Sequence, residues 1–252
     1  MRSVRTAVAI VVAGALAAPA VAVFPLAVST SRFLDIAGFS GRWFASAAEP
    51  FWLKSIELSI VLGIGAATAA CVIAVPAAYA AATGGSARTT KCLDGLAVAT
   101  LVMPVIALAV GYFRMFGESD ARVLFLADTT LCFAMPYLSL RMASARLSDA
   151  QLQAAELLGA TRLGAMFAIW IPNLWRPLAL GWVLAFLTSW DETVLSVFVA
   201  APGTTTLARA IWETMQRERD LTAAAINALS APLLSTLLVV LLGVPSSRGS
   251  AR

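Results

Sequence analysis

The chain has 252 residues, of which 60% are hydrophobic and only 13% charged, and it carries a formal net charge of +4 without any histidine. The surface of a soluble globule cannot accommodate so many apolar residues, so the composition excludes a soluble protein. The lack of histidine excludes Ser-His-Asp and Cys-His catalysis and zinc sites with histidine ligands.

Six apolar runs are long enough to cross a hydrocarbon core of about 30 Å, which predicts an all-α, polytopic membrane protein with about six transmembrane helices. In chain order the runs are residues 6–28, 55–83, 96–113, 123–140, 178–201 and 221–244. The first run is too long for a secretory signal, whose apolar region has about 7 to 15 residues. Polar residues at 188–192 interrupt the fifth run.

No linker, low-complexity tract or internal repeat divides the chain. The sequence therefore predicts one domain over residues 1–252. Its predicted core is 55–244, preceded by a first helix and a periplasmic loop within 1–54.

A polar loop follows the fourth predicted span. Ser148 and Gln151 form an S-x-x-Q capping box, which predicts the start of a short helix, and Gly159 is the residue expected to end or bend it. Thr161 can cap a second helical piece, which Pro172 is expected to stop because proline lacks a backbone N–H. The pattern predicts a small helix-turn-helix between two membrane spans.

Basic residues predict the orientation of the chain. With the N-terminus inside, the cytoplasmic segments hold most of the basic residues and few acids, as the positive-inside rule expects. Both termini and the polar loop are then cytoplasmic. The basic residues are Arg2, Arg5, Arg88, Lys91, Arg141, Arg146, Arg162, Arg176, Arg248 and Arg252, and the acids are Asp94, Asp149 and Glu156.

Neither of the two lysines, Lys54 and Lys91, lies in a phosphate-binding G-x-x-x-x-G-K-[ST] loop, so the chain has no such site for hydrolysing ATP. The three cysteines, Cys71, Cys92 and Cys132, lack the spacing of a metal site. The sequence predicts no cofactor, metal or nucleic-acid partner.

The loop sequence QAAELLGA at 153–160, followed by Ile171, Pro172 and Pro177, resembles the EAA loop of inner-membrane permeases of bacterial ABC importers. In that family the loop is a cytoplasmic helix-bend-helix that docks in a cleft of the ATP-binding subunit. The resemblance implies this coupling role for Gln153, Ala154, Ala155, Gly159 and Ala160. Gln153 replaces the leading glutamate of the family, which removes one negative charge. The alternative is an ordinary amphipathic connector with a glycine bend.

Five further segments resemble permeases for spermidine and putrescine uptake, a resemblance that extends over nearly the whole chain. They are residues 39–44, 55–59, 76–80, 190–192 and 201–207. That family pairs two permeases with two ATPase subunits and a periplasmic substrate-binding protein. The resemblance implies these partners, with membrane lipid around the helices. The segment 76–80 also has a plain structural explanation, because small residues permit close packing at the end of a span.

Three acids fall within predicted spans, where an ionised side chain is costly and usually faces the bundle interior or a water path. Asp191 and Glu192 are candidate partners for a cationic amine on a translocation path, with Asp128 as a further candidate. Trp190 could add a cation–π contact. Alternatively, the acids pair with polar groups or an arginine across the bundle, or lie near the outer interface.

We therefore expect a permease subunit of an ATP-driven importer in the bacterial inner membrane. Its predicted solute is a small organic cation of the polyamine type, delivered by a binding protein, and the chain itself is not an enzyme. One alternative is a permease for another small solute, such as an amino-acid derivative. The other is a membrane transporter that works without ATP.

Overall fold

A computed structural model describes residues 2–30, 38–117, 120–147, 149–201, 203–217 and 221–243. Within these ranges every regular element is a helix and no strand occurs. The predicted all-α fold is confirmed.

Thirteen α-helices are assigned in the described parts of the chain. They are α1 (Arg2–Ala27), α2 (Arg42–Ser46), α3 (Pro50–Ala82), α4 (Ala87–Val102), α5 (Val105–Phe116), α6 (Ala121–Cys132), α7 (Ala134–Ser144), α8 (Asp149–Leu157), α9 (Arg162–Ala165), α10 (Ile171–Trp190), α11 (Val194–Val199), α12 (Leu207–Arg217) and α13 (Thr222–Gly243). A π-helical turn, Met166–Trp170, joins α9 to α10.

Two helical stretches among the described residues are each long and apolar enough to cross a membrane: α3, and α6 with α7 taken together as Ala121–Ser144. The pair α4–α5 qualifies only jointly and is bent by 103°. Helices occupy all six predicted spans, and the number of crossings stays a prediction.

Two predicted spans are not continuous helices. The third is broken because Pro104 has no backbone N–H and restricts the residue before it, so that Met103 is extended at φ −65° and ψ 129°. The fifth is broken where α10 ends at Trp190 and α11 begins at Val194. The polar residues 188–192 mark this second break in the sequence.

The described residues of Met1–Ser55 and Ala210–Leu237 form one compact unit. Its apolar core contains Ala27 and Trp43 with Leu221 and Ala225. The indole nitrogen of Trp43 donates a hydrogen bond of 2.8 Å to the Ser29 carbonyl, which satisfies the buried end of the ring.

The described residues of Ile56–Arg209 and Leu238–Arg252 form a second compact unit. Small residues let its helices approach closely, as is common between membrane helices. A Cβ atom added to Gly181 of α10 would lie 2.5 Å from the Pro136 Cα of α7, so these two backbones are in direct contact. The single-domain prediction, with its core at 55–244, stays a prediction.

One apolar cluster of the second unit joins the ends of several helices. Its members include Tyr79 of α3, Tyr137 of α7, Trp170 and Leu174. Ala74 and Ala78 of α3 are fully buried in the same cluster. Of the small residues in segment 76–80, Ala78 therefore lies where close packing requires it, whereas Ala80 is exposed.

Candidate functional site

An open pocket of about 400 Å³ lies beside the C-terminal half of α10. Its lining residues are Met135, Leu184, Leu187, Thr188, Asp191 and Glu192. Four of these side chains repeat at helical spacing along α10, so one helix face forms an apolar wall that ends in two acids. The structure thus brings Asp191 and Glu192 together in a single pocket.

The two acids differ in their surroundings. Asp191 is exposed and terminates α10, with its backbone N–H bonded to the Leu187 carbonyl at 3.1 Å. Glu192 is half-buried, and its carboxylate accepts a hydrogen bond of 2.9 Å from the backbone N–H of Leu195. Glu192 therefore helps to begin α11, because it satisfies a backbone donor in the first turn of that helix.

Trp190 is directed to other aromatic rings. It stacks on Phe186 with ring centroids 5.8 Å apart, and Phe186 stacks in the same way on Trp182 at 5.8 Å. Trp190 is not among the pocket residues, so the structure does not bring it together with Asp191 and Glu192.

Asp128 of α6 is 1% exposed, and it contacts α10. The Ser189 hydroxyl donates a hydrogen bond of 2.6 Å to its Oδ2 atom. Its Oδ1 atom is buried without a hydrogen-bond partner among the described residues. Asp128 thus lies one hydrogen bond from the helix end that carries the pocket acids, although it does not itself line the pocket.

The polar loop is a helix-turn-helix, as predicted. Gly159 follows α8 with φ +85°, a left-handed conformation that favours glycine, and the Ala160 N–H bonds the Ala155 carbonyl at 2.9 Å. The Thr161 hydroxyl accepts a hydrogen bond of 3.1 Å from the Gly164 N–H and so caps α9. The predicted capping box depends on Ser148, which lies outside the described residues.

The prediction that Pro172 stops the second helical piece is wrong. The chain continues from α9 through the π-helical turn into α10, which holds Pro172 in its first turn. Pro172 is the second residue of α10, directly after the change from π-helical to α-helical geometry. The helix is disturbed instead at Leu174, with φ −111° and ψ 15°.

The coupling residues implied by the EAA resemblance lie on an accessible surface. Gln153, Ala154, Gly159 and Ala160 are exposed, and Ala155 is half-buried. Four large apolar side chains of the loop are also exposed: Leu157, Leu158, Leu163 and Phe167. Sequence reasoning missed these four, although apolar residues beside a bend in a polar loop were a visible signal.

A fifth missed residue, Tyr79, contacts the loop from α3. Its hydroxyl donates a hydrogen bond of 3.1 Å to the Arg162 carbonyl. Its ring packs edge-on against Trp170, with centroids 5.4 Å apart. The only sequence signal was a polar-tipped aromatic residue at the end of an apolar span.

No group of three or more potential ligands could hold a metal ion in the described ranges. Cys71 and Cys132 are buried thiols and Cys92 is exposed. The Cys132 thiol lies 3.1 Å from the Ala185 carbonyl, a contact between α6 and α10.

Residues 74–248 match the family described as the binding-protein-dependent transport system inner membrane component. The chain belongs to this family. It is therefore a multi-pass permease of the inner membrane, which confirms the predicted class and location.

Two curated relatives agree with this assignment. Each is named putrescine transport system permease protein PotI, one from Escherichia coli strain K12 and the other from an Escherichia coli O6:H1 strain. The permease is 27% identical to each over 224 residues, which is 84% of this chain and 79% of the relative.

Proposed function

We propose that this permease forms, with a second permease subunit, the import path for a small organic cation of the polyamine type. Two ATPase subunits drive the movement and a periplasmic binding protein delivers the solute. The relatives named for putrescine transport support the solute class. The family description supports the binding protein as a partner.

The observation that carries the proposal is the pocket beside α10. Met135, Leu184 and Leu187 give it an apolar wall, while Asp191 and Glu192 give it two carboxylates. An alkyl diamine has the matching chemistry, because its methylene groups prefer apolar contact and its ammonium groups need opposite charge. The hydroxyl of Thr188 adds a hydrogen-bond acceptor for an ammonium group.

Asp128 supports the same solute class in a different way. Its carboxylate is buried, and Ser189 occupies only one of its two oxygens. In a membrane protein a buried acid of this kind is by default a functional candidate. In our proposal Asp191 meets the cation first, Glu192 contributes charge while it holds α11, and Asp128 adds negative potential deeper in the bundle.

The loop from α8 to the π-helical turn is the proposed docking surface for an ATPase subunit. Leu157 and Leu158 are each 89% exposed, which is costly in water and is relieved when an apolar groove covers them. Gln153, Ala154 and Ala155 lie on the helix that leads into this surface. In this arrangement the loop and both termini are cytoplasmic.

The proposal is tested by uptake of radiolabelled putrescine in cells that lack their own polyamine importers and express the complete transporter. We expect uptake that stops when ATP is depleted and that excess unlabelled putrescine suppresses. Uptake of an amino-acid derivative without uptake of putrescine would contradict the solute class. Uptake that persists without ATP would contradict the ATP-driven mechanism.

A further inference from the structure

Besides the covalent link from α7 on its N-terminal side, the coupling loop has one covalent and one non-covalent route to the membrane helices on its C-terminal side. The covalent route runs through the π-helical turn into α10. The second route is non-covalent and runs through Tyr79, near the C-terminal end of α3, to Arg162 and Trp170. The two ends of the Tyr79 hydrogen bond are 83 residues apart in sequence, so this contact joins distant segments.

The covalent route has an irregular backbone near its start. Leu174 has a non-helical backbone, and Pro177 removes a further hydrogen-bond donor from α10. α3 is helical over 33 residues, and Pro76 within it likewise removes one hydrogen-bond donor.

Tyr79 contacts the loop where its helix changes geometry. The Arg162 carbonyl accepts one hydrogen bond from the Tyr79 hydroxyl and another from the N–H of Met166, which is the first residue of the π-helical turn. Single-turn π-helical segments in α-helices are uncommon and occur frequently at functional sites. The hydrogen bond from Tyr79 therefore reaches the loop in the α-helical turn directly before the wider turn.

The same segment has one anchored face and one free face. Met166 and Trp170 are buried in the cluster that contains Tyr79, while Leu163 and Phe167 are exposed. A partner that pushes on Leu163 and Phe167 thus moves the buried side chains against Tyr79. Close-packed interiors transmit such displacements, because they have little free volume in which to absorb them.

We propose that Tyr79 is a positioning residue that holds the coupling loop to α3, so that movement of the loop reaches α3 as well as α10. This inference rests on the proposed coupling of the loop to an ATPase. It assigns a role to a side chain that touches neither solute nor nucleotide. The ring contact with Trp170 sets the distance between α3 and the coupling loop, and the hydrogen bond from the hydroxyl fixes which loop residue lies beside Tyr79.

The test uses the complete importer reconstituted in proteoliposomes, with putrescine as the probe solute. Tyr79→Phe keeps the ring and removes only the hydroxyl. We expect stimulation of ATP hydrolysis by the loaded binding protein to fall about fivefold, the size expected for one lost hydrogen bond. Hydrolysis without binding protein should stay at the wild-type rate, and putrescine import should fall in parallel with stimulation.

The matched control is Tyr112→Phe. The Tyr112 hydroxyl also bonds across helices, at 2.6 Å to Thr130 and 3.3 Å to the Leu126 carbonyl, but both partners belong to α6 and not to the loop. We expect this variant to retain wild-type stimulation. Equal loss in both variants would assign a general structural role to tyrosine hydroxyls and would overturn the proposal.

Wild-type stimulation in Tyr79→Phe would also overturn it. If Tyr79→Phe does not assemble, Trp170→Phe tests the same contact from the other side, and wild-type stimulation there would contradict the proposal. Failure of the proposed function gives a different pattern, because the wild-type importer would then show neither stimulation by binding protein nor ATP-dependent putrescine import.

Discussion

Asp191 is the exposed acid of the pocket, and we expect Asp191→Asn to reduce putrescine uptake at least tenfold. The variant keeps the shape of the side chain but loses its charge. At an effective dielectric of about 20, a unit charge about 4 Å from a cation interacts by roughly 4 kcal/mol before desolvation is counted. Uptake is measured with the complete importer, and co-purification of the ATPase reports assembly.

Glu49→Gln is the control for this measurement, because Glu49 is also an exposed acid but does not line the pocket. It should leave uptake unchanged. Normal uptake by Asp191→Asn would remove Asp191 from the path. Loss of the ATPase from the purified complex would instead indicate a structural role for this carboxylate.

Ser189 holds the buried carboxylate of Asp128, and we expect Ser189→Ala to destabilise the importer. The substitution removes the hydrogen bond to Oδ2, so that neither carboxylate oxygen of Asp128 has a partner among the described residues. An unsatisfied buried polar group costs about 1–3 kcal/mol. Thermal unfolding of the purified complex measures the loss. Thr188→Ala is the matched variant, because the Thr188 hydroxyl bonds the Leu184 carbonyl within its own helix. Equal melting temperatures for the two variants would contradict this assignment.

Among the elements, the bend after α8 depends on Gly159. Its φ of +85° is unfavourable for residues with a Cβ atom, by roughly 1–2 kcal/mol, whereas asparagine tolerates the left-handed region. We expect Gly159→Val to abolish uptake without preventing membrane insertion, and Gly159→Asn to retain most of it. Uptake assays combined with membrane fractionation check both results. Wild-type uptake by Gly159→Val would show that this bend is not needed for coupling.

The contact of α7 with α10 depends on Gly181. A Cβ atom there would meet the backbone of Pro136 at 2.5 Å, which forces the helices apart. Overpacking of this kind costs about 1–3 kcal/mol, so Gly181→Ala should lower the melting temperature of the complex. Gly111→Ala is the control, because no atom outside its immediate surroundings lies within 4 Å of the added Cβ. A similar melting temperature for both variants would contradict the close approach.

Apolar length predicted where the helices lie, because burial in lipid requires long apolar runs whatever the packing. The breaks in these helices were less accessible. Pro104 and the acids 191–192 are visible in the sequence, but the 103° bend depends on how α4 and α5 pack afterwards. The continuation of the helix past Pro172 was missed, since proline is compatible with a helix start as well as a helix stop.

The candidate site could likewise be predicted only in part from the sequence. Asp128, Asp191 and Glu192 could be identified from the sequence, because an ionised side chain within a membrane span costs free energy. The partners Ser189 and Tyr79 could not be found in this way, because their contacts span 61 and 83 residues. Such pairs are specified by the three-dimensional packing and leave no local pattern.

For the molecule as a whole, we predict the sidedness of three positions. Cys92 is cytoplasmic, whereas Ser40 and Gly203 lie outside. In a background without native cysteines, single cysteines at these positions are treated with a membrane-impermeant thiol reagent in intact cells. Ser40→Cys and Gly203→Cys should be labelled, and restored Cys92 should react only after the membrane is opened. Labelling of Cys92 in intact cells would contradict the orientation.

The 103° bend between α4 and α5 also raises the question of how many times the chain crosses the membrane between Cys92 and the coupling loop. If the bent pair crosses the membrane, it and α6–α7 make two crossings between Cys92 and the coupling loop, and both positions lie on one side. If the pair turns back, only one crossing remains and the loop faces the opposite compartment from Cys92. Labelling of a Leu158→Cys variant, compared with labelling of Cys92, shows whether the number of membrane crossings between the two positions is even or odd. If Cys92 is cytoplasmic, as predicted, ATP-dependent coupling through this loop requires the bent pair to be a complete crossing, however sharply it turns.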